Sequence, residues 1–193
     1  MESEQPGRMV LVRHGPTEWS VSGKHTSRTD LGLLEMGAEP ARELGKLLSK
    51  RNFSEVFVSP LRRAFETCRL AGYADRAVVL DDLREWDYGD YEGRTTAEIQ
   101  GERSGWDLWS GGVPNGETLS EVSLRADRVI ARARASGGDV LCFAHGHLLR
   151  VLAARWLGLP AVGGRLFALD PATFSELGWQ HSLPVICRWN QPP

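Results

Sequence analysis

The chain has 193 residues, 41% of them apolar, with 23 Lys and Arg against 25 Asp and Glu for a formal net charge of −2. That size suits one compact domain spanning 1–193, and the near-balanced charge, with no long basic run, argues against nucleic acid and membrane surfaces as partners. Met1 to Arg8 is polar and the apolar stretch behind it is too short for a signal peptide or a membrane span, so a cytoplasmic protein is expected. Three widely spaced cysteines, Cys68, Cys142 and Cys187, form no CxxC pair, which speaks against a disulfide framework and a structural zinc site. Cys142 lies in an apolar run and is expected to be buried.

In chain order, Met9 to Val12 predicts a strand that ends at Arg13–His14–Gly15, with Pro16–Thr17–Glu18 as a helix start. Ala41 to Lys50 carries Leu44, Leu47 and Leu48 at helical spacing, and Pro40 belongs in a first turn, so this helix begins late or bends there. Glu55 to Ser59 reads as a strand feeding a helix from Pro60 to Leu70, and Ala77 to Asp81 as a further strand. Gly101 to Gly116 is loop-like but holds Trp106, Trp109 and Pro114, so segment 94–116 is expected to be a lid or pocket wall. A long helix from Glu117 to Ala135 follows, with Leu119, Val122, Val129 and Ile130 as its apolar stripe. Val140 to Ala144 predicts a buried strand that runs into His145–Gly146–His147 and a helix from Leu148 to Leu157. Arg165 to Leu169 and Pro184 to Trp189 complete the predicted strands. Strands alternating with helices imply an α/β protein, a three-layer α/β/α sandwich around a mostly parallel sheet.

Two strand–His–Gly edges dominate the chemistry. Reactive groups in open α/β sheets gather at the carboxyl ends of strands, so His14 and His145 are expected in one crevice suited to phosphate chemistry. Arg13 and Thr17 add a guanidinium and a hydroxyl near backbone N–H groups, a cluster that binds an anion. Ser59–Pro60–Leu61–Arg62–Arg63–Ala64 brings two arginines to another strand end. They point about 100° apart on a helix, so only one faces the site. A guanidinium there forks onto two phosphate oxygens. In Glu85–Trp86–Asp87–Tyr88–Gly89–Asp90–Tyr91–Glu92–Gly93, a carboxylate among aromatics suits a general acid, and four acidic residues compete for the role. His145–Gly146–His147 has a spacing also seen at metal sites, but companion ligands are not evident and no metal is expected. His25 and His181 carry no motif and are expected to be packed or solvated.

These motifs, in this order from about Met9 to Trp156, resemble the histidine phosphatase, or phosphoglycerate mutase-like, superfamily. The signature is RHG with Thr and Glu, SPLxRA, a glutamate before an aromatic–Gly pair, and a late AHG. The resemblance implies a phosphoglycerate mutase-like fold, His14 as nucleophile, Arg13, Arg63 and His145 around the phosphoryl oxygens, and Glu85 as general acid and base. It implies substrate contacts from Thr17, Ser20, Thr26, Ser27, Tyr88, Gly146 and His147, no cofactor, and a homodimer as an option open among relatives. The interval between Glu85 and His145 is short, which favours a phosphatase over a mutase. The block Glu85 to Gly93, Trp106 and Trp109, Asn115 to Thr118 and Phe143 to Arg150 are similar to the subgroup of sedoheptulose-1,7-bisphosphatases and broad-specificity acid phosphatases. A sugar phosphate or another small phosphomonoester is the implied substrate; phosphoglycerate mutase-type transfer and a non-catalytic phosphate-binding protein are the alternatives. Ser20 and Thr26–Ser27 depart from the common pattern, which carries Asn in mutases at the first place and Gly at the second residue of the pair. Trp19, Trp86, Trp106 and Trp109 offer either a sugar-stacking wall or packing.

Overall fold

A computed structural model describes residues 7–193; the polar N-terminal segment discussed above lies mostly outside them. Six strands form one sheet: β1 (Met9–Arg13), β2 (Glu55–Val58), β3 (Ala77–Val79), β4 (Val140–Ala144), β5 (Phe174–Gln180) and β6 (Leu183–Gln191), in the order β3-β2-β4-β1-β5-β6. The first four run parallel, whereas β5 and β6 are antiparallel additions beyond β1. The sheet is therefore mixed, with a parallel centre.

Val10 to Val12 and Val140 to Ala144 are buried, as strands covered on both faces must be. Side chains alternate between two clusters. Leu11, Cys142 and Phe57 pack with Val122 and Val129 of one long helix and Leu148 and Leu152 of another, while Val10, Val12 and Val58 pack with Leu44, Leu48 and Cys68 on the opposite face. The helices are α1 (Glu18–Ser22), α2 (Ala38–Leu48), α3 (Arg62–Leu70), α4 (Thr96–Glu102), α5 (Leu108–Gly111), α6 (Leu119–Ala135) and α7 (Gly146–Trp156). Pro40 sits in the first turn of α2, which begins at Ala38, ahead of the predicted start. Cys142 is buried as expected; Cys68 is too, its thiol pushed up to about 12 by burial. Among the described residues, no helix is long and apolar enough to cross a membrane.

Two expectations fail. Arg165 to Leu169 is not a strand: Ala161–Leu166 forms a 3-10 helix whose Leu166 is 76% exposed. The strand that pairs with β1 on the side away from β4 is Phe174–Gln180, concealed by Ser175 and Glu176, polar residues at buried positions. The stretch from Gly101 to Gly116 also contains α5 and the end of α4, started by the caps Asp107 and Thr95.

Glu176 is tolerated because Arg8 (2.7 Å) and Arg51 (2.9 Å) both donate to it, and Arg51 also reaches Asp139. Burial alone would raise its carboxyl pKa; the two arginines outweigh that and hold it below the ordinary range. A depressed carboxyl contributes stability above the unfolded pKa and loses it as pH falls. Glu176→Gln is therefore expected to lower the unfolding free energy by about 2 kcal/mol at pH 7, and the gap to wild type to narrow below about pH 4.5, as read by urea unfolding at both pH values.

Candidate active site

The parallel register pairs Arg13 with Ala144, so the next residues, His14 and His145, emerge side by side at adjacent strand ends. His14 N–H donates to the Ala144 carbonyl at 3.0 Å, and the two imidazole rings lie 5.2 Å apart. His14 is 5% exposed and His145 fully buried. His14 Nδ1 lies 2.7 Å from the Gly15 carbonyl, which only accepts, so Nδ1 carries the proton and Nε2 the lone pair. Burial, then the charges of Arg13 and Arg63, drive the His14 pKa well below the ordinary histidine value and keep the ring neutral.

At the end of β2 the chain turns through Ser59 into α3, and adjacent arginines part company. Arg62 is exposed; its N–H donates to Asp30 and its Nε to Glu66. Arg63 is fully buried, and its terminal nitrogens donate to the carbonyls of Thr26, Ser27 and Thr29. The same loop is held from the other side by Glu92, which accepts from the N–H groups of Ser27 and Thr29. Every one of these contacts to the loop is to main chain.

Ser59 Oγ accepts from Leu61 N–H and lies 2.7 Å from His145 Nε2. With the hydroxyl proton donated to Nε2, His145 Nδ1 carries the ring proton; the opposite assignment would strand a buried hydroxyl proton and a bare nitrogen. Among the described residues, the buried side-chain nitrogens and oxygens without a partner are Arg13 Nε, Arg63 Nε and His145 Nδ1. All three are donors beside His14. Ser59→Ala should cost about 1–3 kcal/mol in urea unfolding by leaving Nε2 unpaired, and Ser59→Thr, which keeps the hydroxyl, should recover much of it.

A cavity of about 320 Å³ opens beside this cluster, lined by Arg13, His14, Thr17, Ser20, Thr26, Glu85, Tyr88, Gly146 and His147 among others, while Arg63 and His145 lie buried behind that lining. The four carboxylates take different places. Glu85 alone of the four reaches the cavity, oriented by N–H groups of Trp86, His147 and Leu148. Asp87 caps Gly89 and pairs with Arg28, Asp90 accepts from Asn115, and Glu92 holds the loop. Gly89 is required in that segment: its φ is +50° and a Cβ would lie 2.1 Å from the Pro114 carbonyl oxygen.

Thr17 is buried as the N-cap of α1 in a reciprocal bond with Ser20. Gly146 opens α7 against the Arg13 guanidinium, which a Cβ would meet at 3.3 Å. Ser27 does not line the cavity: its hydroxyl turns away to donate to the Glu85 carbonyl. Of the four tryptophans only Trp109 reaches the cavity; Trp86 and Trp106 are buried with their N–H groups on Glu117 and Gly112 carbonyls, and Trp19 packs against Gly93. The sequence reading passed over Lys24, His25, Thr96, Asp107, Arg150 and Leu169, which also line it. Arg150 was accessible to reasoning, lying one helical turn beyond His147 on α7.

Residues 9–192 match the model for the histidine phosphatase superfamily (branch 1). An acid phosphatase of Mycobacterium tuberculosis is 39% identical, with the match covering 91% of this chain and 88% of the relative. Sedoheptulose 1,7-bisphosphatase of Saccharomyces cerevisiae is 40% identical, covering 79% of this chain and 68% of the relative. A solved structure of an open reading frame from Mycobacterium tuberculosis superposes with a TM-score of 0.90 at 36% identity, covering 96% of this chain and 98% of that one.

Proposed function

The chain belongs to the histidine phosphatase superfamily and is a phosphatase, and from that premise we propose that it hydrolyses small phosphomonoesters, sugar phosphates or bisphosphates foremost, without a metal, through a phosphohistidine on His14. The observation that carries this reading is the trio of buried, unpartnered donors Arg13 Nε, Arg63 Nε and His145 Nδ1 around a neutral imidazole. Three donors without an acceptor suit the equatorial oxygens of a phosphoryl group, and stabilising that charge is the main catalytic demand of phosphoryl transfer.

In this mechanism His14 Nε2 attacks phosphorus in line, forming an N–P bond as the ester P–O bond breaks. Glu85 gives its proton to the departing alkoxide, then takes one from the water that attacks the phosphohistidine, releasing inorganic phosphate and restoring His14. Thr17 and the Gly146 N–H assist at the phosphate, while Ser20, Thr26, Tyr88 and His147 border the alcohol portion. Segment 94–116 serves as a pocket wall through Trp109 rather than as a separate domain. The sugar ester is favoured because a bisphosphatase of a sugar stands among the relatives. A homodimer, the habit of the family, completes the proposal.

The experiment is phosphate release from sugar phosphates, sugar bisphosphates, 3-phosphoglycerate and nucleotides in the presence of a chelator. Release from a sugar ester that survives chelation supports the reading. Folded protein that releases phosphate from none of them would refute it, and loss of release on chelation would refute metal independence. Since the neutral ring is the nucleophile and its pKa is depressed, kcat/KM is expected to persist at pH 5 rather than fall through the ordinary histidine range.

A further inference from the structure

His25, which carries no motif, and His147 form one side of the cavity with their rings within 10° of parallel and 6.2 Å apart. Both are committed at Nδ1. His25 Nδ1 lies 2.7 Å from the Arg94 carbonyl, an acceptor only, so Nδ1 holds a proton and Nε2 is the nitrogen through which the ring can accept. His147 Nδ1 lies 2.6 Å from the Tyr88 hydroxyl. Burial, then the neighbouring Glu85 charge, keeps that phenol protonated, and among the described residues its proton has no other acceptor. The hydroxyl therefore donates to Nδ1 and the His147 proton sits on Nε2. Neither Nε2 is buried without a partner and neither bonds to another described residue, so both open to the cavity. Trp106 meets His25 edge-on and Trp109 meets His147, fixing both rings.

The wall thus offers one donor and one acceptor. It stands beside the alcohol, because the His147 backbone N–H donates to Glu85, the group assigned to the leaving oxygen. We infer that His25 and His147 are specificity-determining residues that read hydroxyls on the alcohol portion of a polyhydroxylated phosphate ester, with His147 Nε2–H donating and His25 Nε2 accepting. A hydroxyl can satisfy both partners. An aryl or alkyl group satisfies neither, and a second phosphate dianion accepts from His147 but has nothing to donate to His25. This deepens the phosphatase reading and rests on it for the location of the alcohol.

The test compares wild type, His25→Phe and His147→Phe on glucose 6-phosphate and phenyl phosphate. The expected result is a fall of about 10- to 100-fold in the ratio of kcat/KM for the sugar ester to that for the aryl ester. Equal losses on both esters, or no loss on the sugar ester, would overturn the inference. A second arm measures calorimetric binding of glucitol 6-phosphate and of inorganic phosphate to His14→Ala, with and without His25→Phe. Glucitol 6-phosphate binding should weaken about tenfold while phosphate binding stays; unchanged glucitol 6-phosphate binding would overturn the inference. Turnover of neither ester by wild type counts against the phosphatase reading, and the binding arm still decides this one. Should either phenylalanine variant fail to fold, the leucine replacement at that position takes its place in both arms.

Discussion

His14→Ala is expected to reduce kcat/KM by at least about four orders of magnitude on every ester the wild type hydrolyses, with binding of inorganic phosphate retained. The three donors around the ring cannot substitute for it. Arg13 and Arg63 are cations without a lone pair, and His145 has one nitrogen bonded to Ser59 and the other protonated. None offers the bare, neutral nitrogen that His14 presents after committing Nδ1 to Gly15. The three donors survive the substitution, so phosphate should still raise the melting temperature of the variant. Measured together, single-turnover phosphate release and thermal shift separate a lost nucleophile from a collapsed pocket. Activity within tenfold of wild type would move the nucleophile elsewhere.

Arg63→Ala carries the second large effect, and a double one. Its guanidinium spends its terminal nitrogens on three loop carbonyls and keeps Nε unpartnered. Removing it deletes the proposed phosphoryl ligand and leaves the Thr26, Ser27 and Thr29 carbonyls without that donor. We expect a loss of about 10³-fold in kcat/KM and about 2–4 kcal/mol in unfolding free energy. Arg63→Lys should recover little, because one ammonium cannot serve three carbonyls and an oxyanion from the same place. Arg62→Ala is the contrast: it removes an exposed pair with Glu66, and stability should change by no more than about 0.5 kcal/mol. If Arg63→Ala and Arg62→Ala behaved alike, the assignment of Arg63 to the site would fall.

The strand-end histidines were legible because an apolar run that stops at His–Gly specifies both burial and position, and the parallel register then brings His14 beside His145. The choice of Arg63 over Arg62 needed the family pattern, since helical geometry says only that the two diverge. Of the β5–β6 hairpin the second strand was legible, as Pro184 to Trp189, whereas the first strand and the turn were not, for a different reason. Its turn runs through His181 at positive φ with no glycine, and buried Glu176 breaks the apolar alternation until Arg8 and Arg51 are brought to it from distant segments. His25 and Ser27 lie two residues apart on one loop, yet the first lines the cavity and the second turns to the Glu85 carbonyl. Which side of an irregular loop a side chain takes depends on what grips the backbone, and here the grip comes from Arg63 and Glu92.

That grip has an evolutionary consequence. Arg63 and Glu92 hold residues 26–29 by carbonyl and N–H groups that every amino acid except proline supplies in full. Thr26, the residue of this loop segment that lines the cavity, can therefore change without loosening the anchor, and new substrate preferences are open to descendants of this sequence through single substitutions that leave the phosphate-handling residues untouched.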